Sequence, residues 1–274
     1  MVATPIGNLR DITLRALDVL AAVDVVAAED KRNTAHLLAH HGICAHRLMA
    51  VHQHNERVAA LKVITLLLAG HSVAFVSDAG TPAISDPGAR LVQTVRAAGM
   101  RVIPIPGANA AVAALSAAGM AEPHFLFCGF LPNKGAARRT ALEALCNQAC
   151  TLVFYEAPHR ITACIDDLCE VLGGERQVVL AREITKLFET IHACLLRDAG
   201  AWLAADSNRQ RGEFVVLVSG AVPQQGLSDE ARDTLALLLE ELPLKQAARL
   251  AASITGANRS ELYQLALQMK AAPD

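Results

Sequence analysis

The stretch HSVAFVSDAGTPAISDPGARLVQTVRAAG, residues 71–99, decides the fold. It opens on a continuous apolar run, SVAFV, without polar alternation, the pattern of a strand covered on both faces. It closes on ARLVQTVRAAG, whose apolar residues recur at helical spacing and whose Gly99 is a stop signal. Between them lies VSDAGTPAISDPG (76–88), with two Asp, two Gly, two Pro, two Ser and one Thr. Such a loop is either the turn after a strand or a floor on which a ligand rests.

The same rhythm continues on both sides. VDVVAAED (23–30) reads as a strand ending in charge, and LKVITLLLAG (61–70) as a helix closed by Gly70. RVIPI (101–105) reads as a strand, and PGANAA (106–111) as a loop opening a helix of small residues, AAVAALSAAG. Strands alternating with helices imply a parallel sheet covered on both faces. Only Met1, Val2 and Ala3 precede Thr4-Pro5, so the first strand is either very short or continued by residues upstream. After Gly119 the rhythm changes. HFLFCGF, TLVFYE, QVVLARE, TIHACLL and EFVVLVSG are five strand candidates with two clear helices, 138–148 and 160–172, among them. A second α/β domain with a mixed sheet follows from that count. From Ser228 on, three helical segments occur without a strand; Pro243 separates the first two and TGAN the last two, with Asn258 as N-cap and Glu261 placed to answer it. A short Gly-containing turn between helices is helix-turn-helix-like. The expected division is residues 1–119, 120–224 and 225–274.

Composition bounds the rest. Apolar residues make up 53% of 274, enough for a sizeable core. No run reaches the roughly 18 apolar residues of a membrane span, and the N-terminus lacks the pattern of a signal peptide. Seven scattered cysteines without a CxxC pair fit reduced thiols in a cytoplasm. The net charge of −2 excludes a global basic field, so any nucleic acid must be met by local patches.

Three loops follow apolar strands of the first domain: AEDKRNT (28–34), the 77–88 loop and PGANAA. In an open parallel sheet ligands bind beyond the carboxyl ends of the strands, where all three loops fall. GxGxxG, GxxxxGK[ST], HExxH and GxSxG are all absent, which argues against a dinucleotide fingerprint, a P-loop, a zincin and a nucleophile elbow.

Nine segments then occur in order: TPIGNLRDIT (4–13), AAEDKRNT (27–34), HQHNE (52–56), VSDAGTPAISDPG, PIPGANAA (104–111), GFLPNKG (129–135), FYEAPHR (154–160), AREITKLFET (181–190) and RGEFVVLV (211–218). Together they resemble the tetrapyrrole-methylase superfamily, and within it the branch that 2′-O-methylates the ribose of a decoding-centre cytidine in 16S rRNA. Lys31 stands where that pattern usually has Thr, and PGANA where PGPSA is common. The resemblance implies a two-domain α/β fold with a helical tail, a homodimer, and S-adenosylmethionine (SAM) as cofactor in the cleft between domains. It implies 16S rRNA or the small ribosomal subunit as partner. Carried over by position, the cofactor site is Pro5, Ile6, Asp78, Gly80, Thr81, Pro82, Ala110, Ala111, Tyr155, Glu156 and Ala157, with Glu213 and Phe214. The half-loop Asp86-Pro87-Gly88 is read as the start of the next helix rather than as a ligand contact.

Methyl transfer to a ribose hydroxyl needs in-line placement and a base for a weakly acidic O–H. The candidates are Glu29, Asp30, Lys31, Arg32, His54, Asn55, Glu56, Arg160, Arg182, Glu183, Lys186 and Glu189. If REITKLFE were helical, Lys186 and Glu189 would share a face, either as a surface ion pair or, with a lowered lysine pKa, as base and substrate positioner. Glu29 is expected to shape the substrate side, where His52 and His54 also fall. His36 and His40 lie one helical turn apart, but no acid or Cys completes a metal set. For RNA, NKGAARRT brings Lys134, Arg138 and Arg139 together without an acid, Arg160 faces the same cleft edge, and the tail offers Lys245, Arg249, Arg259 and Lys270. A tetrapyrrole methyltransferase and a non-catalytic nucleotide- or RNA-binding module stay open as alternatives.

Overall fold

A computed structural model describes residues 1–222, 227 and 229–271. The chain divides into two compact units, Met1–Ala221 and Val222–Asp274.

The first unit contains two sheets. β1 (Val25–Ala28), β2 (Leu48–Ala50) and β3 (Val73–Val76) form a parallel sheet in the order β2-β1-β3. All four β1 residues are buried, as a strand covered on both faces requires. Val26 and Ala28 pack with α1 (Leu14–Ala22) and α2 (Lys31–His40) through Ala16, Leu20, Leu37 and Leu38. Ala27 and Phe75 face the other way, onto α3 (Glu56–Leu68) and α4 (Ala89–Ala97) through Ala60, Val63, Leu91 and Val95.

The N-terminal residues extend this sheet without becoming a full strand. The Val2 N–H donates to Phe75 O at 2.9 Å, and Val2 bridges Ile105. RVIPI is therefore not the strand its composition predicts; it contributes one bridge, because Pro104 and Pro106 flank Ile105 and have no N–H to extend a ladder.

The second sheet has the order β4-β5-β8-β6-β7, from β4 (Phe125–Phe130), β5 (Thr151–Glu156), β6 (Gln177–Arg182), β7 (Thr190–Leu195) and β8 (Phe214–Val218). All five strands are where the sequence puts them. β4 and β5 are parallel and the other pairs antiparallel, so the sheet is mixed. One face is covered by α6 (Gly135–Glu143), α7 (Ile161–Leu172) and α8 (Leu196–Ala204), the last not expected from sequence. The other face is covered by α5 (Ala110–Ala118), whose Ala111 and Ala114 pack on Val153, Val179, Val215 and Leu217. REITKLFE is no helix: it is the irregular turn between β6 and β7, with Glu183 and Thr185 at φ 52° and 66°.

The second unit is helical: α9 (Asp229–Glu241), α10 (Leu244–Thr255) and α11 (Arg259–Ala271). They bury Leu235, Ala247, Ala248, Ala251, Leu262 and Ala266 against one another. Gly256 ends α10 at φ 71°, and the Asn258 carboxamide oxygen accepts the Ser260 N–H at 2.8 Å to start α11.

Candidate active site

The loop after β3 meets the carboxyl ends of β5 and β6 around one cavity. β8 runs antiparallel to both, so its beginning, Glu213 and Phe214, arrives at the same place. A cavity of about 290 Å³ opens there, close to the size range of small-molecule sites. Its first-sheet wall is a zipped pair of loops: Thr4 N–H donates to Gly80 O at 2.9 Å and Gly80 N–H to Thr4 O at 3.1 Å. Gly80 sits at φ 79°, and a Cβ there would lie 3.2 Å from Ile6, so glycine both permits the turn and keeps the wall thin. The Thr81 hydroxyl donates to Ala108 O at 3.0 Å and fixes this loop to the 104–109 loop. The Ala111 N–H donates to the Tyr155 hydroxyl at 3.2 Å, joining the start of α5 to β5.

Of the residues expected to hold cofactor, Ile6, Gly80, Thr81, Ala110, Tyr155, Glu156, Ala157, Glu213 and Phe214 line this cavity. Pro5 and Asp78 line an adjoining space of about 350 Å³ that shares Ile6, Ala79, Lys186 and Glu213 with it. Pro82 and Ala111 are buried behind the wall. Glu156 takes part only through its main chain. Its side chain shares a sheet face with Phe154, where its carboxylate meets Arg160 at 3.1 Å and its own neighbour's N–H, from Ala157, at 2.8 Å.

Three side chains form a tight ionic group at the cavity edge. The Lys186 ammonium donates to Glu183 Oε1 at 2.8 Å and to Glu213 Oε2 at 2.7 Å, while the Glu213 N–H donates to Glu183 Oε1 at 2.9 Å. Burial alone would lower the Lys186 pKa, but the two carboxylates outweigh it and the net shift is upward. The expected Lys186–Glu189 pair does not form, because the segment is a turn. Glu189 instead accepts the Thr185 N–H at 2.6 Å and lines neither space. A lysine base with a lowered pKa is thereby corrected: Lys186 stays an ammonium. Gly7 lets the first loop lie on this group, since a Cβ there would stand 2.5 Å from Lys186 Cγ.

Other candidates have structural employment. Asp30 caps α2, accepting the Arg32 N–H at 2.7 Å, and its pKa falls to about 2 beside Arg32. Lys31, the first residue of α2, is exposed. Arg182 is buried and donates to Arg211 O at 2.5 Å and Phe188 O at 3.0 Å. Asn55 ties His52 N–H to Ala50 O, and His54 is exposed. Glu56 accepts the Gly88 and Leu91 N–H groups at 3.0 and 2.9 Å, so it caps α4. His36 lines the second space and His40 lies edge-on to His41; among the described residues no His, Cys, Asp or Glu cluster suits a metal ion. Glu29 lines neither space but accepts the Asp78 N–H at 3.3 Å, and burial pushes its carboxyl pKa up.

The expected RNA patch is also partly consumed. Arg138 is 5% exposed, its Nε 2.6 Å from Asp167, and Arg139 reaches the same carboxylate at 2.9 Å. Helical spacing turns Arg138 inward toward α7, so it cannot meet solvent or RNA. Arg160 is held by Glu156, Asn133 and the Leu131 carbonyl oxygen. Lys134 at the start of α6 is exposed, as are Lys245, Arg249, Arg259 and Lys270.

The sequence reading missed Asp86. With Ile84 and Ser85 it lines the main cavity, so the second half of the loop does more than start α4. Burial, reinforced by Glu29 and Asp78, pushes its pKa up to about 6. An acid inside a Gly/Pro-rich loop was the available signal.

A loop-lined cleft between a parallel and a mixed sheet is the architecture of the tetrapyrrole methylases, and residues 1–200 match the family described as "Tetrapyrrole (Corrin/Porphyrin) Methylases". Residues 225–270 match "RsmI C-terminal HTH domain". "Ribosomal RNA small subunit methyltransferase I" of Pseudomonas aeruginosa is 53% identical over 98% of this chain and 96% of its own length. The protein of the same name from Escherichia coli O157:H7 is 52% identical over 98% and 94%. The chain belongs to the ribosomal RNA small subunit methyltransferase I family. Among solved structures, uroporphyrin-III-C-methyltransferase from Thermus thermophilus aligns with a TM-score of 0.56 and 23% identity over 80% of this chain and 92% of that one. Another structure of uroporphyrin-III C-methyl transferase from that organism, complexed with S-adenyl homocysteine, aligns with a TM-score of 0.55 and 15% identity over 80% and 95%. At these identities the likeness establishes the fold.

Proposed function

We propose that this protein is a SAM-dependent methyltransferase that 2′-O-methylates the ribose of a decoding-centre cytidine in 16S rRNA. The observation that carries the reading is the full-length match, about half identical, to relatives named as methyltransferases of small-subunit ribosomal RNA; the ribose of a cytidine as acceptor is the finer part of the proposal. The cavity fits the cofactor. It offers apolar walls from Ile6, Ile84, Phe130, Phe214 and Val215, a backbone brought close at Gly80, and a carboxylate in Asp86. Ile6, Gly80, Thr81, Ala110, Tyr155, Ala157 and Phe214 would hold it, with Pro5, Asp78, Pro82, Ala111, Glu156 and Glu213 supporting or flanking them.

Bound SAM supplies an electrophilic methyl group on a positively charged sulfur. Lys186, pinned between Glu183 and Glu213 where the two spaces meet, acts as a charged positioner. Glu29 and Glu189 line neither space and support the acceptor side from behind, Glu29 through the Asp78 N–H and Glu189 through the Thr185 N–H. The three-part division at 1–119, 120–224 and 225–274 belongs to the same reading.

The substrate is the 16S rRNA or the small subunit, met by Lys134, Arg139, Lys245 and Arg259. A homodimer is supported by large apolar side chains left exposed at the edges of the second sheet, Phe125 on β4 and Leu187 and Phe188 on the β6–β7 turn. A cytoplasmic setting accords with that substrate, and among the described residues no helix is long and apolar enough to cross a membrane.

The test offers methyl-tritiated SAM with naked 16S rRNA, small subunits and a precorrin-type tetrapyrrole, and maps 2′-O-methylation on the RNA. Label in one cytidine of the rRNA is expected. Label in the tetrapyrrole alone would replace the reading with the small-molecule one, and label in none would remove it. Light scattering of the eluted protein should give twice the 29.0 kDa chain mass.

A further inference from the structure

Asp86 is placed inside the cavity by a backbone that side-chain-bearing residues seldom adopt. Ala83 and Ser85, on either side of Ile84, stand at φ 70° and 64°, left-handed values that glycine normally takes. The loop thereby turns back on itself and sets Asp86 on the cavity wall. The groups facing it come from several elements. Glu29 is at the end of β1, Asp78 and the Ser77 hydroxyl belong to the loop after β3, and Tyr155 is on β5. Asp86 thus sits half-buried on the cavity wall, with Asp78 exposed on the adjoining space and Glu29, which lines neither, both near enough to oppose its ionisation. Among the described residues the cavity's one cation, Lys186, is already held by Glu183 and Glu213.

Such a wall is unfavourable when empty and ionised, and two things relieve it: a proton or a positively charged ligand. Cofactor binding is assigned to this cavity by the proposed function, and the following inference rests on that reading. We propose that Asp86, backed by Glu29 and Asp78, is the charge-reading residue of the cavity, attracting the cationic methyl donor and favouring it over the neutral thioether product. Methyl transfer removes the positive charge from sulfur. The wall then loses the ligand charge that neutralised it, and product release is assisted by the same groups that recruited the donor. A proton and the donor compete for Asp86, so donor binding expels the proton.

The experiment is calorimetry on the full-length protein with SAM and, separately, S-adenosylhomocysteine, at pH 6 and pH 8, in buffers of different ionisation enthalpy. With Asp86 titrating near 6, SAM should release roughly half a proton at pH 6 and close to none at pH 8. S-adenosylhomocysteine should release clearly less at pH 6. Asp86→Asn should weaken SAM about tenfold or more while leaving S-adenosylhomocysteine within about twofold, and should abolish the difference in proton release. Wild-type SAM binding with no proton release at pH 6, or an unchanged SAM-to-product preference in Asp86→Asn, would overturn the inference alone. A loss of methylation rate in Asp86→Asn with that preference intact would assign Asp86 to proton transfer and also overturn it. No binding of SAM by the wild-type protein would remove the cofactor reading and this inference together. The wild-type proton-release measurement does not depend on the variant folding, and Glu29→Gln gives a second variant, expected to move the preference in the same direction by a smaller factor.

Discussion

Replacing Glu56 by alanine should unfasten the cavity loop from behind. Glu56 is 7% exposed and gives its Oε1 to the N–H groups of Gly88 and Leu91. These are two of the orphan donors at the start of α4, where the cap position is Gly88 at φ 131° and has no side chain to offer. A hydrogen bond to a charged acceptor contributes about 1.5–3 kcal/mol net. Two of them share one oxygen here, and removing a buried carboxylate also relieves its desolvation, so a loss of about 2–4 kcal/mol is expected. Glu56→Gln keeps an acceptor oxygen without the charge and should cost about half as much. Urea denaturation gives the magnitude, and hydrogen exchange at Gly88 and Leu91 gives the location, since both amides should lose protection in the alanine variant. Stability within about 0.5 kcal/mol of wild type, with those two amides still protected, would refute the reasoning. Unchanged stability with a large loss of methyl transfer would return Glu56 to a catalytic role.

Further outcomes follow from the ionic groups and the exposed cations. Lys186→Met should leave stability within about 1 kcal/mol, as for a partly exposed ion pair, yet lower kcat/KM for methyl transfer about tenfold or more. The raised lysine pKa means its contribution is complete below the ordinary lysine range and fades only as pH rises through the folded value. Glu183, whose pKa is lowered by Lys186 against the opposing effect of burial, contributes above its unfolded value and loses this as pH falls through the folded one. No inflection belonging to Lys186 should therefore appear in the rate between pH 6 and 9, and one that vanishes in Lys186→Met would restore a lysine base. Gly212→Ala, at φ 86° with its new Cβ 2.4 Å from Glu183 Cγ, should cost about 1–3 kcal/mol by denaturation and weaken SAM binding by displacing Glu183. Arg138→Ala should destabilise by about 1.5–3 kcal/mol, because the buried Asp167 loses one of its two charged partners and keeps Arg139. Lys134→Ala should leave the denaturation midpoint alone and reduce the salt dependence of RNA binding by about one counterion.

Apart from β2, whose three residues were not read as a strand, the strands of both sheets were legible because each is a short, apolar run between Gly, Pro or charged punctuation. β1, β3 and β5–β8 needed nothing else. RVIPI failed because composition records apolar character but not whether a Pro-flanked segment can supply ladder donors. REITKLFE failed because its spacing suits a helix while the β6–β7 connection forces left-handed turns at Glu183 and Thr185. Arg138 looked like a surface cation, since its partner Asp167 is 29 residues away on another helix. Asp86 was passed over because the positive φ angles at Ala83 and Ser85, which turn it inward, have no signature in alanine or serine.

α5 has a consequence for synthesis. It lies before the second sheet in sequence, yet its apolar face is covered by β5, β6 and β8, and β8 comes about 100 residues later. As the chain leaves the ribosome, the Ala111–Ala114 face has no complete platform until Val215 and Leu217 emerge and insert between β5 and β6. The nascent protein therefore carries an unsheltered apolar helix through the making of four strands, and its period of greatest exposure to aggregation ends only when the middle strand is delivered.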